Sequence, residues 1–389
     1  MDRQESLMAL RRADGFIRYA LAIQYHGTSF LGFSFQGSQE NAILDNGTDL
    51  RGIRTVEGRL REALSDLVGH ENFENIQVSS RTDRGVHALK NTCHVDIRPR
   101  NKLKEPWEPD KLERALNYHL SRQRKISLTF SSSDEEEHGD DDESEQEGDS
   151  NVGDSGSLKS MFDDPPVLHA RMNEFRILGA TTAPALMKNN LYGLDESQPE
   201  YVDWNARYSA TERTYIYRIL EVVGNNSTYA IPFEWDTSWR LAEKRKLRID
   251  RMNEGASYLI GTHDFTSFRG SHCQRLSPVV TLKEIRVTSQ PYGMSYGWEL
   301  DGGLLGLGTS PETSPNHLNL ITIRIKGDSF VNRQVRNIVG CLVDVGRGRL
   351  EPIDVQRLLV ICNRAHAPAT APAQGLFLAH VQHGDFSVH

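Results

Sequence analysis

The stretch Ser79–Asn91, SSRTDRGVHALKN, brings Arg81, Asp83, Arg84 and His87 together within seven positions. Among them stands Gly85, which suits a sharp backbone turn. The motif lies between two apolar stretches, as the mouth of a hairpin would. An aspartate of ordinary acidity, with a reference pKa of about 3.9, is charged at neutral pH, and a guanidinium nearby favours that form. A charged carboxylate with restricted geometry, kept from water, can act as a nucleophile or a base. The plainer reading of the motif alone is an aspartate capping a turn while Arg81 and Arg84 face solvent.

The elements that must position these groups can be read from periodicity. Tyr19, Leu21, Ile23 and Tyr25 alternate in RYALAIQYHG, which predicts a strand ending at Gly27. Val56, Leu60, Ala63, Leu64 and Leu67 share one helical face. NIQVSS leads into the motif as a second strand, and NTCHVDI leaves it as a third. PDKLERALNYHLS follows as a helix with Pro109 and Asp110 as start signals, and places His119 at a half-buried packing position. EFRILGA is a further strand, and the stretch from Ala183 to Glu200 is irregular.

The second half repeats the plan. It has strands over Thr214–Val222, VVTLKEIRV and LNLITIRIKG, and a helix around Ile249–Leu259. A long helix over Phe330–Gly346 puts Val331, Val335, Ile338, Val339 and Leu342 on one stripe, and a short helix near Pro352–Cys362 precedes the strand GLFLAHV. Strands with fewer helices, in two similar halves, predict an α+β fold of two similar domains, each a mainly antiparallel sheet with helices on one face. The expected divisions are a flexible N-terminus over 1–15, one domain over 16–200 and a second over 201–389.

The formal charge of −8 at first disfavours a nucleic-acid partner, but one segment dominates it. Ser132–Ser150 carries eleven carboxylates and neither Lys nor Arg; with these set aside the charge moves from −8 to +3. Such a run repels itself and buries nothing, which predicts a disordered acidic insertion at about 125–165. The remainder is mildly basic and compatible with RNA. Cys93, Cys273, Cys341 and Cys362 show no metal-type spacing, and the alternation of NTCHVDI turns Cys93 and His94 to opposite sides, so no metal is expected. Sparse cysteine fits a reducing intracellular setting, cytoplasm or mitochondrion. No apolar run approaches a membrane span, and Gly302–Gly308 lacks the context of a phosphate loop.

SSRTDRGVHAL resembles the signature of the TruA-type tRNA pseudouridine synthases, Arg-Thr-Asp-x-Gly-Val-His-Ala. The likeness extends in order through Tyr25–Phe33, Thr55–Leu64, Ala115–Leu120, Ala206–Ile219, Gly261–Phe268, Phe330–Gly340 and Ala371–Val381. Its wording in SSRTD, GTHDF and RQVR is closest to the animal branch. Departures are His26 for a usual Asp, Phe33-Ser34 for Trp-Gln, Ser80 for a frequent Gly and Asn205 for a frequent His.

The resemblance implies a cleft between the two domains that holds the active site, with Asp83 as catalytic aspartate. It implies that Arg81 enters the RNA, that Tyr215 packs on the uracil (Tyr217, two residues on, being the alternative), and that Arg336 pairs with Asp83 across the cleft. An arginine in so apolar a helix calls for a buried partner. Arg84, His87, Tyr25, Lys90 and Arg207, within the matching blocks or beside them, are further RNA-binding candidates. The basic residues Arg98, Arg100, Lys102, Lys104 and the run Glu243–Arg248 are surface candidates for the same role.

The implied reaction breaks the C1′–N1 bond of a uridine in tRNA, in the anticodon arm, turns the uracil and rejoins it through C5. Nothing is oxidised, so no cofactor is needed. The base must leave its stack, at a cost of a few kcal/mol, and an arginine wedge with an aromatic platform suits that task. The carboxylate can attack C1′ or remove the C2′ proton, and both routes stay open. The expected partners are tRNA and a second copy of the chain as a homodimer. Two rivals are a non-catalytic RNA-binding protein of the same fold and an aspartate-dependent glycosidase, for which Asp264 would be the second carboxylate.

Overall fold

The structure is a computed structural model, which describes residues 15–34, 55–99, 105–121, 174–188, 201–224, 234–271, 273, 275–292, 317–384 and 386–388. The acidic insertion, Arg100, Lys102, Lys104 and the glycine-rich Gly302–Gly308 lie outside the described residues.

In the first half, β1 (Ile17–Tyr25) is followed by α1 (Val56–Val68), β2 (Phe73–Val78), β3 (His87–Ile97), α2 (Pro109–Ser121) and β4 (Phe175–Thr182). A small pair, β5 (Leu186–Lys188) and β6 (Tyr201–Asp203), interrupts the stretch expected to be irregular. The second half contains β7 (Glu212–Val223), β8 (Trp239–Glu243), α3 (Ile249–Ser257), β9 (Gly261–Asp264), β10 (Val279–Pro291) and β11 (His317–Gly327). It ends with α4 (Gln334–Arg347), α5 (Pro352–Ile361) and β12 (Leu376–Gln382).

Local chemistry explains several boundaries. Thr55 caps α1, its hydroxyl accepting from the Gly58 amide, a bond typically worth about 1 kcal/mol. Glu351 and Asp354 form a reciprocal capping box at α5, with Pro352 at its first position. The helix expected from Phe330 begins only at Gln334, because Arg333 adopts the left-handed conformation at φ 58°. That conformation is disfavoured for any residue with a Cβ, and the four residues it frees carry cleft contacts described below.

The strands of both halves run into one sheet of ten described strands, in the order β4-β1-β3-β12-β7-β11-β10-β9, with β2 on β3 and β8 on β7. Most pairs are antiparallel. Two are parallel: β8 with β7, and the pair joining the halves, where Phe377 lies opposite His87 and Leu378 opposite Ala88. On its other edge β12 pairs antiparallel with β7, placing Leu378 opposite Tyr215. With strands about 4.8 Å apart, Tyr215 therefore lies roughly 10 Å across the sheet from the end of the Ser79–Asn91 motif.

Residues from all five helices join one apolar core with Tyr19, Leu21 and Ile23 of β1. Ala20 and Ala22, on the opposite side of β1, meet Ala183, Trp204, Ala206 and Val388 instead, where no described helix contributes. The helices thus cover one side of the sheet. Val335, Ile338, Val339, Leu342 and Val345 of α4 are all buried, each contributing roughly 1.5–3 kcal/mol relative to exposure. A helix so anchored is a rigid mount for Arg336. No described helix is long and apolar enough to cross a membrane.

Candidate active site

The motif spans the turn between β2 and β3, an antiparallel pair in which Val78 faces Cys93. Gly85 takes φ +79° there, a conformation that suits glycine. Gly27 lies so close that a Cβ on it would stand 2.0 Å from the Val86 carbonyl oxygen. Asn91 braces the turn by donating from Nδ2 to the Ser80 carbonyl at 2.9 Å, while the Ser79 hydroxyl donates to the Thr92 carbonyl at 2.8 Å.

Asp83 is thereby held at the edge of a cleft of about 1850 Å³, lined from both halves of the chain. That volume exceeds the usual range for a small-molecule pocket, about 300–1,000 Å³, and accommodates several nucleotides. Opposite stands the start of α4. Arg336 Nη1 lies 3.7 Å from Asp83 Oδ2, and Asn332 Nδ2 donates to Asp83 Oδ1 at 3.4 Å. The Arg336 guanidinium is fixed by a 2.7 Å bond from Nε to the Ala371 carbonyl. Burial pulls its pKa down, and the Asp83 carboxylate pushes it back up. Sequence reasoning named Arg336 but not Asn332, whose placement depends on the left-handed turn at Arg333.

Tyr215 lines the same cleft and is almost wholly buried. Its hydroxyl shares a 2.8 Å hydrogen bond with Ser80 Oγ, and its ring meets Phe330 edge-on at 4.9 Å. Tyr217 is excluded from the cleft lining because its hydroxyl donates to the Pro372 carbonyl at 2.7 Å deep in the core. Burial raises the Tyr215 pKa; the Ser80 bond and Arg213 counter that, and Asp83 adds to it.

Arg81 and Arg207 are exposed on the lining, and the Arg207 guanidinium carbon sits 5.5 Å from the centre of the Tyr208 ring. Arg213, Arg275 and Arg333 line the cleft as well, so five arginines face three carboxylates, Glu57, Asp83 and Asp328. All three carboxylates have partners, Asp83 in Arg336 and Asn332. Glu57 accepts from Ser34 and Arg61, and Asp328 pairs with Lys283 at 2.8 Å. The cleft is therefore electropositive, as a phosphate-bearing polymer requires.

Other expected contacts fall elsewhere. His87 is buried, accepting from the Gly27 amide at Nδ1 and bonding the Gln374 carbonyl through Nε2, both at 3.0 Å, while stacking on Phe377 at 4.5 Å. It has no ring nitrogen left for RNA and joins the two halves instead. Burial, helped by the neighbouring His26, lowers its pKa to about 4. Tyr25 is likewise a support, its hydroxyl sharing 2.8 Å with Thr82 Oγ1 beside Asp83. Lys90 donates to the Val388 carbonyl, Arg98 lies over the Phe16 ring, and neither lines the cleft. Arg84 and the run Lys244–Arg248 are also off the lining. His94 accepts from the Ala206 amide, away from Cys93 in the main core. Asp264 caps its own turn by accepting from the Thr266 amide.

Residues 256–383 match the family model described as tRNA pseudouridine synthase. Over 364 residues the chain is 30% identical to tRNA pseudouridine synthase A of Jannaschia sp. (strain CCS1), covering 94% of both proteins. It is 29% identical over 368 residues to the protein of that name from Ruegeria sp. (strain TM1040), covering 95% of this chain and 96% of the relative. It is 28% identical over 367 residues to that of Orientia tsutsugamushi (strain Boryong), with 94% and 100% covered. A carboxylate on the lining of an arginine-rich cleft, paired with the Arg336 guanidinium that stands beside that lining, in a chain similar to these relatives over nearly its whole length, leads to one assignment: the protein belongs to the tRNA pseudouridine synthase family.

Proposed function

We propose that the protein isomerises uridine to pseudouridine in tRNA. The observation that carries this reading is the Asp83–Arg336 pair at 3.7 Å, with Asp83 on the lining of a cleft that has an aromatic wall and Arg336 beside that lining. Asp83 acts at the sugar, either on C1′ or on the C2′ proton. Arg336 and Asn332 hold its carboxylate at the edge of the cleft. Tyr215, Phe330, Val331 and Leu376 supply an apolar surface for the detached uracil, where exclusion of water keeps the ring from being lost. Arg81 enters the RNA beside the target, and Arg207 binds the backbone. The C1′–N1 bond is exchanged for a C1′–C5 bond, C5 gives up its proton and N1 gains one, so no oxidant or reductant is consumed.

The reading places the target uridine in the anticodon arm and the protein as a homodimer in a reducing compartment, in keeping with four free thiols. The glycosidase alternative loses support because Asp264 is spent on its turn and the other cleft carboxylates are already paired. Incubation with unmodified tRNA transcripts, followed by mapping of pseudouridine, tests the proposal. Site-specific pseudouridine that vanishes with Asp83→Ala is expected; bound but unmodified tRNA would favour a non-catalytic RNA-binding protein, and free uracil a hydrolase. Sedimentation at micromolar concentration tests the dimer.

A further inference from the structure

Arg213 has a surrounding that the reaction as described does not explain. Its guanidinium is half-buried, and each of its hydrogen bonds runs to a neutral main-chain carbonyl. Nη1 donates to Ala210 at 2.9 Å and Asp328 at 2.6 Å; Nη2 donates to Ser79 at 3.0 Å and Arg207 at 3.3 Å. These acceptors belong to three separate segments. Ser79 precedes Ser80, Arg81 and Asp83; Arg207 and Ala210 belong to the loop before β7; Asp328 opens the stretch leading to Phe330, Asn332 and Arg336. One side chain therefore ties together the three walls of the cleft. Because carbonyls carry no net charge, its positive charge is not cancelled by the groups it bonds.

Two residues along β7, the Tyr215 hydroxyl finds its partner in Ser80 Oγ at 2.8 Å, and Ser80 follows directly on the Ser79 carbonyl that Arg213 holds. Asn91 fixes the next carbonyl, that of Ser80, at 2.9 Å. The phenol is thus located by a short frame: Arg213 sets the Ser79–Ser80 backbone, and Ser80 sets the hydroxyl.

We propose that Ser80 and Arg213 are positioning residues for the isomerisation, acting through Tyr215: together they fix the place of its hydroxyl against the target base and keep a positive charge beside it. Burial disfavours negative charge on that oxygen, and the same two neighbours offset the effect. Arginine is required at 213 because only a planar fork reaches four acceptors at once; a lysine ammonium has three donors and no fixed plane. The proposal rests on the reading of this cleft as a pseudouridine synthase site.

The test measures kcat and KM for pseudouridine formation on a tRNA transcript with wild-type protein, Ser80→Ala, Tyr215→Phe, the double variant and Arg213→Lys. Expected are a kcat loss of about tenfold for Ser80→Ala and on the order of 10²-fold for Arg213→Lys, with KM within about threefold of wild type. In the Tyr215→Phe background Ser80→Ala should cost less than about twofold, since the hydroxyl it serves is gone. An undiminished Ser80→Ala effect in that background, or full kcat in Arg213→Lys, overturns the proposal. Should Arg213→Lys fail to fold, Arg213→Gln, which keeps amide donors but not the charge, decides for Arg213 by the same kcat readout, and the Ser80–Tyr215 cycle decides for Ser80. Wild-type protein that forms no pseudouridine would instead overturn the functional reading.

Discussion

Asp83 and Arg336 meet at 3.7 Å although one lies on a turn of the first half and the other on a helix of the second. The guanidinium cannot follow the carboxylate if the halves separate, because its Nε is bonded to Ala371 and its helix is packed on both sides. The two side chains are therefore brought together by the sheet and not by their own flexibility.

Removal of the carboxylate should stop chemistry without releasing RNA. Asp83→Ala and Asp83→Asn are expected to lower pseudouridine formation by on the order of 10³-fold or more. Gel-shift affinity for tRNA should stay within about threefold, since the arginines of the cleft are untouched. A loss of affinity that matched the loss of rate would assign Asp83 to binding.

Arg336→Lys should behave almost as badly as Arg336→Met. Lysine restores a positive charge but cannot donate to Ala371 while facing Asp83 in a fixed plane. A kcat loss of roughly 10²-fold is expected for both, measured by single-turnover assay so that product release does not mask it.

Tyr215→Phe and Tyr215→Ala separate ring from hydroxyl. The Phe variant keeps the platform and should bind tRNA normally. The Ala variant should lose roughly 1–3 kcal/mol of binding if a base stacks on the ring, and about 3–5 kcal/mol of stability from the cavity it leaves. Titration of a fluorescent tRNA and chemical denaturation report the two quantities.

Stability should fall with acid before the carboxylates titrate. Burial, with His26 for His87 and Arg213 for His383, lowers both imidazole pKa values to about 4, against about 6.5 in an unfolded chain. Between these limits the unfolded state holds more protons, so stability rises with pH. The contribution is complete above about 6.5 and is lost as pH drops towards 4. From pH 7 to pH 5 the expected loss is about 2 kcal/mol per histidine, measured by urea denaturation. His87→Gln should flatten the slope by about half.

Much of this was legible in residue order. The alternation of Tyr19, Leu21, Ile23 and Tyr25 and the stripe on α1 reflect burial on one side, which periodicity records directly. Asp83, Tyr215 and Arg336 could be singled out because each stands in a block resembling a known family. Arg213 and Asn332 were not. Their roles depend on main-chain carbonyls and on a left-handed turn, neither of which leaves a mark in side-chain pattern. His87 was misassigned for a related reason: a histidine within a polar motif looks exposed, yet strand β3 already begins there and turns its ring into the join between halves. The short strands β5, β6, β8 and β9 were missed because three to five residues carry too little periodicity to read.

The last described strand, β12, is also the bridge between the two parts of the sheet. During synthesis on a ribosome, every catalytic side chain would have left the exit tunnel before that bridge could form. A message cut short just upstream of Leu376 would thus encode the entire chemistry and yield an inert product. Activity, on this reading, reports that synthesis had passed β12.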